Sequence, residues 1–123
     1  MKLPIKKVVW VSSSYKDFME FPLLVRSAVG YALYYAQQGT RHEHAKVLSG
    51  MGGAGVVEIR ENAPGGAYRV IYTVEMEEIV FVLHSFQKKS KSGRATPKQE
   101  LELLKVRIKE AKILYKKMQQ GKK

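Results

Sequence analysis

The run from His84 to Lys88 places an imidazole, an aromatic ring and an amine at alternate positions, directly after the apolar stretch IVFVL. Side chains alternate across a β-strand, so His84, Phe86 and Lys88 should lie on one face. A histidine can transfer protons near neutral pH, an aromatic ring can stack on a base, and an amine can bind a phosphate. Together these groups suit a nucleic-acid substrate.

Two strand patterns upstream carry charges that fit the same chemistry. Glu58 and Arg60 share one face of VVEIRE, and Arg69 lies among apolar positions of AYRVIYTV, where an arginine needs an anionic partner. If the three strands pair as hairpins, these residues converge with His84 on one face or end of the sheet. RNA cleavage without a metal requires such a set. One group takes the proton from the ribose 2′-OH, cations stabilise the charge on the phosphate, and another group protonates the departing 5′-oxygen.

Each candidate also has a purely structural interpretation. His84 can be a packed or hydrogen-bonded histidine at a strand end, and Phe86 can belong to the core. Glu58 and Arg60 can form a surface ion pair. Lys88, Lys89 and Lys91 can be a run of solvent-exposed charges with no binding role.

Two further motifs are less specific. GMGGAG (residues 50–55) matches G-x-G-x-x-G, but a dinucleotide-binding loop follows a strand and opens a helix, whereas a strand pattern follows here. HEH (residues 42–44) could bind a metal, but no third ligand is evident. We therefore expect a glycine turn and a solvated polar segment, with no metal site and no cofactor.

The balance of charge indicates a polyanionic partner. The 123-residue chain has 22 Lys and Arg against 11 Asp and Glu, a net charge of +11, so nucleic acid or an anionic membrane surface should attract it. The absence of cysteine excludes disulfides and thiolate chemistry. No apolar run approaches the roughly 20 residues that span a bilayer. We expect a soluble, cytoplasmic protein.

Periodicity and turn residues predict the elements that position these side chains. The predicted order is a strand over residues 6–11, a short helical turn, a helix over 22–38, a long connection over 40–55, three strands over 56–61, 67–74 and 78–87, and a final helix. Residues 80–83 are apolar at odd and even positions alike, so both faces of this strand are apolar, which indicates a central strand covered on both sides. This order predicts an α+β domain with its helices against one face of a mostly antiparallel sheet.

The final helix has the clearest signature. Thr96, Pro97 and Gln99 match a capping box with proline at the first helical position. The predicted core-facing stripe consists of Leu101, Leu104, Ile108, Ala111 and Tyr115.

Several segments together resemble one protein family. They are LSG before a glycine turn, VVEIR, YRVIY, VLHSFQKKS and TPKQE, with WVSSSYKDF and VGYALYYAQQG upstream, and they cover most of the chain from about Trp10 to Ile108. In this combination the chain resembles the phage-derived, HigB-like branch of the RelE/ParE toxin superfamily. The resemblance implies a single RelE-like domain, over residues 1–118, with a twisted sheet on which N-terminal helices and a C-terminal helix pack. Residues 119–123 are predicted to form a disordered, Lys-rich tail.

The resemblance also implies a function. Such proteins are toxins of type II toxin–antitoxin systems that cleave mRNA without a metal, commonly on the ribosome. A cognate helix-turn-helix antitoxin would neutralise the toxin. Two alternatives remain open: a gyrase-directed toxin of the ParE kind, and a non-catalytic module that binds RNA or the ribosome.

Site residues follow from the resemblance position by position. RelE-like nucleases carry basic residues on the central strands and a basic or aromatic residue near the end of the last strand. Phe86 falls near the place where several relatives have a tyrosine, and a phenylalanine cannot exchange a proton, so proton transfer moves to His84, Glu58 or a lysine. The expected catalytic set is Glu58, Arg60, Arg69 and His84, and the expected RNA-binding set is Lys46, Phe86, Lys88, Lys89 and Lys91.

Overall fold

A computed structural model describes residues 5–53, 55–88 and 98–121. Its elements are β1 (Lys7–Trp10), α1 (Ser14–Met19), α2 (Leu23–Gln37), β2 (Ala45–Val47), β3 (Val56–Ala63), β4 (Gly66–Thr73), β5 (Ile79–Lys88) and α3 (Lys98–Gln120). The predicted order of elements is confirmed, with one addition. Strand β2 lies inside the stretch predicted to be a connection. It was not predicted because three residues are too few to show a strand pattern.

The strands form one five-stranded sheet in the order β1-β5-β4-β3-β2. Strand β1 pairs in parallel with β5, and all other neighbours are antiparallel, so the two predicted hairpins are confirmed. The hairpin between β3 and β4 turns at Gly65, whose φ of 95° lies in the left-handed region that favours glycine.

Helices cover both faces of the sheet, and this corrects the expectation of a single covered face. Helices α1 and α2 contribute Phe18, Val29 and Leu33 to one core, which also contains Val70 and Val82 of the sheet. Helix α3 closes the other core, formed by Val11, Leu48, Val56, Ile71, Phe81, Leu83, Leu104 and Ala111 among others. The apolar run at residues 80–83 required this two-sided cover, and all four residues are buried.

A β-bulge in β5 decides which face His84 occupies. Tyr72 pairs with Val82 and Ile71 pairs with His84, so Leu83 is an extra residue in β5. Strict alternation would place His84 beside Val82, on the face covered by α1 and α2. The bulge instead turns His84 to the face covered by α3.

Helix α3 packs through the stripe predicted for it. Leu104 and Ala111 are buried, and the other three predicted positions are partly buried against the same core. The helix continues to Gln120, so the first two residues of the segment predicted to be a disordered tail are helical. Thr96 and Pro97 of the predicted capping box lie outside the described residues. No helix in the described part of the chain is long and apolar enough to cross a membrane.

The packing of α3 can be tested by truncating Leu104, which is fully buried. Leu104→Ala should lower the free energy of unfolding by about 2–5 kcal/mol, because it removes apolar contacts and leaves a cavity. Val106→Ala, on the same helix but 54% exposed, should change it by less than about 0.5 kcal/mol. Urea denaturation of both variants measures the difference, and equal losses would contradict this packing.

Candidate functional site

Strand register brings most of the predicted site residues into two cross-strand rows on the face covered by α3. Lys46 pairs with Glu58, Glu58 with Ile71, and Ile71 with His84, which forms one row. The next row consists of Arg60, Arg69 and Phe86. The predicted convergence of Glu58, Arg60, Arg69 and His84 is therefore present in the fold.

Glu58 is a buried carboxylate between two arginines. It is 2% exposed, and its Oε1 accepts a hydrogen bond of 2.7 Å from Arg60 Nε. Arg69 Nε lies 3.9 Å from Oε2 of the same carboxylate. Glu58 is thus the anionic partner that Arg69 required, and the pair with Arg60 is not a surface ion pair, because its acid is buried.

The two arginines differ in how far they are exposed to solvent. Arg69 is 7% exposed, and burial lowers its pKa, an effect that the Glu58 charge opposes and the Arg60 charge reinforces. The side chain of Arg60 is 36% exposed. Arg60 can therefore meet a ligand directly, whereas Arg69 adds its charge from beneath the surface.

His84 is held by hydrogen bonds at both ring nitrogens. Arg107 Nη1 lies 3.1 Å from Nδ1, and a guanidinium can only donate, so Nδ1 accepts and the ring proton lies on Nε2. Nε2 then donates to the Glu100 carboxylate. Arg107 also donates to the Leu83 carbonyl at 2.9 Å and to Ser13 Oγ at 3.1 Å.

The surroundings of His84 favour the neutral form of its ring. Burial lowers the pKa of His84, the Glu100 carboxylate opposes this shift, and the Arg107 charge adds to it. Phe86 stacks on the imidazole with centroids 4.7 Å apart and an angle of 21° between the planes. In the folded chain His84 is therefore a packed, hydrogen-bonded histidine whose Nε2 carries the ring proton.

The predicted RNA-binding residues differ in how accessible they are. Lys46 is exposed on the edge strand β2, and Lys88, at the end of β5, is half-buried. Phe86 is half-buried against the core beneath α3. Lys89 and Lys91 lie outside the described residues.

Sequence reasoning missed Arg107 and Glu100. Arg107 is 8% exposed and lies three residues after Leu104 and four before Ala111, so it occupies the buried stripe of α3. An arginine at such a position indicates that a hydrogen-bond acceptor is buried beneath the helix. Glu100 gave no comparable signal, since an acidic residue in the first turn of a helix is ordinary.

A shallow depression of about 340 Å³ lies at the β2 edge, beside Arg60. Its lining comprises Glu43, His44, Lys46, Arg60, Glu61 and Asn62. His44 Nδ1 lies 2.7 Å from Glu61 Oε1, and His42 Nδ1 accepts a hydrogen bond from the His44 backbone N–H. The hydrogen bond to Glu61 raises the pKa of His44. Among the residues described here, no group of acids and histidines could hold a metal ion.

The sheet with two N-terminal helices on one face and a C-terminal helix on the other is the fold of RelE. A comparison with protein families matches residues 16–109 to the family described as phage derived protein Gp49-like (DUF891), and the chain belongs to this family. Together these findings confirm the expected membership of the RelE/ParE superfamily.

Two solved structures are similar to this chain, and the first supports the same fold. An arginine-to-alanine double mutant of the E. coli toxin RelE in the free state matches with 24% identity and a TM-score of 0.54, covering 72% of this chain and 87% of RelE. The toxin–antitoxin complex RelBE2 from Mycobacterium tuberculosis matches with 19% identity and a TM-score of 0.48, covering 68% of this chain and 99% of that one. No match was found among curated proteins.

The lowered pKa of His84 predicts a pH dependence of stability. As the pH falls below about 6.5, the unfolded histidine binds a proton while the folded one stays neutral, so the free energy of unfolding should fall. His84→Gln should reduce this loss. Urea denaturation at pH values on both sides of 6.5, above the range in which carboxylates titrate, measures the effect.

His44→Gln is the control with the opposite sign. The raised pKa of His44 contributes stability that is present at low pH and lost as the pH rises through its folded value. His44→Gln should therefore increase the amount by which the free energy of unfolding falls as the pH is lowered. An identical pH profile for wild type and His84→Gln would contradict the neutral, buried state of His84.

Proposed function

We propose that the protein is the toxin of a toxin–antitoxin system and that it cleaves mRNA without a metal, on the ribosome. One observation carries the proposal. Strand register places Arg60 and Arg69 beside Glu58 and His84 on a single face of a RelE-like sheet, with Lys46 at its accessible edge. These are the charges and the proton-transfer groups that phosphodiester cleavage requires.

In this mechanism the two arginines hold the scissile phosphate. Arg60 contacts it directly, and Arg69, directly across the ladder, adds positive charge from a buried position where electrostatic interactions are weakly screened. Both are fixed by Glu58 before substrate arrives. Preorganised charge of this kind stabilises the negative charge that builds on the phosphate in the transition state.

Proton transfer is assigned to His84 and Glu58. The proton of the neutral His84 ring lies on Nε2, so this nitrogen can donate a hydrogen bond to the departing 5′-oxygen but cannot accept from the 2′-OH. Full proton transfer to the 5′-oxygen requires the imidazolium form, which returns to the neutral ring when Nε2 gives up its proton. The substrate must first replace Glu100 at Nε2. Glu58 is the carboxylate on the same face and the candidate base for the 2′-OH, and it lies in the row of His84 with Ile71 between them.

The remaining predicted residues position the RNA. Phe86 stacks on a base, and Lys46, Lys88, Lys89 and Lys91 bind the phosphate backbone. A cognate helix-turn-helix antitoxin neutralises the toxin, and the net charge of +11 suits an acidic partner as well as RNA.

A second function, non-catalytic binding to RNA or the ribosome, is favoured by a specific observation. Both ring nitrogens of His84 are occupied by protein groups, and Glu58 is 2% exposed. If Glu100 never leaves Nε2, the same cationic face would bind RNA and leave it intact.

Primer extension on a reporter mRNA with translating ribosomes separates these functions. Wild type should cut the message, and Arg60→Gln should slow cutting about 100- to 1000-fold, the usual loss when one preorganised donor to a developing anion is removed. Arg26→Gln is the matched control, because Arg26 lies on α2, where its Nε donates to the Phe21 carbonyl at 3.1 Å. Cutting by this variant should equal that of wild type.

His84→Ala tests proton transfer separately from binding. It should abolish cutting while RNA binding persists, with circular dichroism confirming that the variant is folded. Cuts at the wild-type rate in His84→Ala would remove this histidine from the chemistry. Intact transcripts with the wild type would favour the binding module, and intact transcripts together with DNA damage would favour a gyrase-directed toxin.

The antitoxin is tested by co-expression. Expression of the protein alone should arrest growth, and a small helix-turn-helix protein encoded beside it should restore growth and co-purify. Arrest that the neighbouring product does not relieve would contradict the assigned partner.

A further inference from the structure

Four rings form a continuous cluster where α2 meets β2, and we call Tyr31, Tyr35, His42 and His44 the edge cluster. Tyr31 and Tyr35 pack edge to face with centroids 5.1 Å apart. His42 lies 5.6 Å from Tyr31 and 5.0 Å from Tyr35, and His44 lies 4.8 Å from His42. The segment that suggested a metal site in the sequence is thus part of an aromatic surface.

The edge cluster is not explained by core packing. None of its four residues belongs to either hydrophobic core. Tyr31 is 56% exposed, and the side chain of His44 is 50% exposed. A contiguous aromatic surface that remains open to solvent marks an interaction site.

Cations continue the edge cluster toward the candidate site. His44 lines the depression of about 340 Å³ together with Lys46 and Arg60, both of which are accessible. The acid closest to this imidazole is Glu61, which is paired with it. That pairing raises the pKa of His44, so its ring is charged over a wider pH range. Rings beside cations on one surface are the combination that binds single-stranded nucleic acid.

We propose that the edge cluster stacks an unpaired base of single-stranded RNA whose adjoining phosphate is bound by Lys46, next to the scissile phosphate assigned to Arg60. This inference rests on the proposed function, because it names the subsite that holds a nucleotide flanking the scissile one. Stacking on these rings tolerates any base, since every base has a π-face. The subsite therefore favours unpaired RNA without reading its sequence.

Tyr31 and Tyr34 provide a matched pair for the test. Both lie on α2, and they are 56% and 44% exposed, but only Tyr31 belongs to the edge cluster. The probe is a single-stranded RNA with 2′-O-methyl riboses, which cannot be cleaved through a 2′-OH, and it carries 2-aminopurine as a fluorescent base. Tyr31→Leu should weaken binding about 5- to 150-fold, the range for losing one stack, and should relieve the quenching of 2-aminopurine.

Tyr34→Leu should bind like the wild type, and Tyr31→Trp should retain both affinity and quenching. Equal losses in Tyr31→Leu and Tyr34→Leu would overturn the proposal, as would a loss of affinity without a change in fluorescence, or equal affinity for a duplex of the same length. Thermal unfolding of each variant shows that it is folded. A wild type that quenches the probe through Tyr31 but leaves mRNA uncut would refute the nuclease and retain the subsite.

Discussion

The buried guanidinium of Arg107 is the contact on which the candidate site depends. It donates to the Leu83 carbonyl at the β-bulge, to Nδ1 of His84 and to Ser13 Oγ ahead of α1, so one side chain joins α3, β5 and the N-terminal segment. The bulge delivers His84 to this guanidinium, and the guanidinium in turn fixes which nitrogen of the ring carries the proton. Replacing it with an apolar side chain would leave buried acceptors without donors, which costs more than the hydrogen bonds themselves contribute.

The sheet keeps two like charges adjacent by placing one acid between them. Arg60 and Arg69 are direct cross-strand partners, an arrangement that is destabilising when both carry the same charge. Glu58, two residues before Arg60, contacts both guanidinium groups and offsets that repulsion. The buried carboxylate thus holds both guanidinium groups in place on the sheet. The separation of the arginines is thus set by folding, as a preorganised phosphate site requires.

Local pattern was sufficient to predict four of the five strands, the stripe of α3 and the shared faces, because side-chain alternation and helical periodicity are properties of short segments. It could not predict the bulge, since an extra residue in β5 is defined only by its pairing with Ile71 and Tyr72. Two-sided cover of the sheet was implicit in the apolar run at residues 80–83, which needs a helix on each side. The partner of Arg69 was predicted as a kind of group and not as Glu58, because register joins positions eleven residues apart in sequence.

The tautomer of His84 follows from packing, and it constrains the proposed chemistry. A guanidinium on Nδ1 excludes a proton there, so the neutral ring carries its N–H at Nε2 and can donate a hydrogen bond from that nitrogen but cannot accept a proton at it. Glu100 now accepts this hydrogen bond, in the place that the departing 5′-oxygen takes in the proposed reaction. A phosphate approaching His84 meets the negative charge of Glu100 as well as the positive charge of Arg107. In the proposed reaction, RNA must therefore bind strongly enough to displace this carboxylate, and until then the Nε2 proton of His84 stays hydrogen-bonded to Glu100.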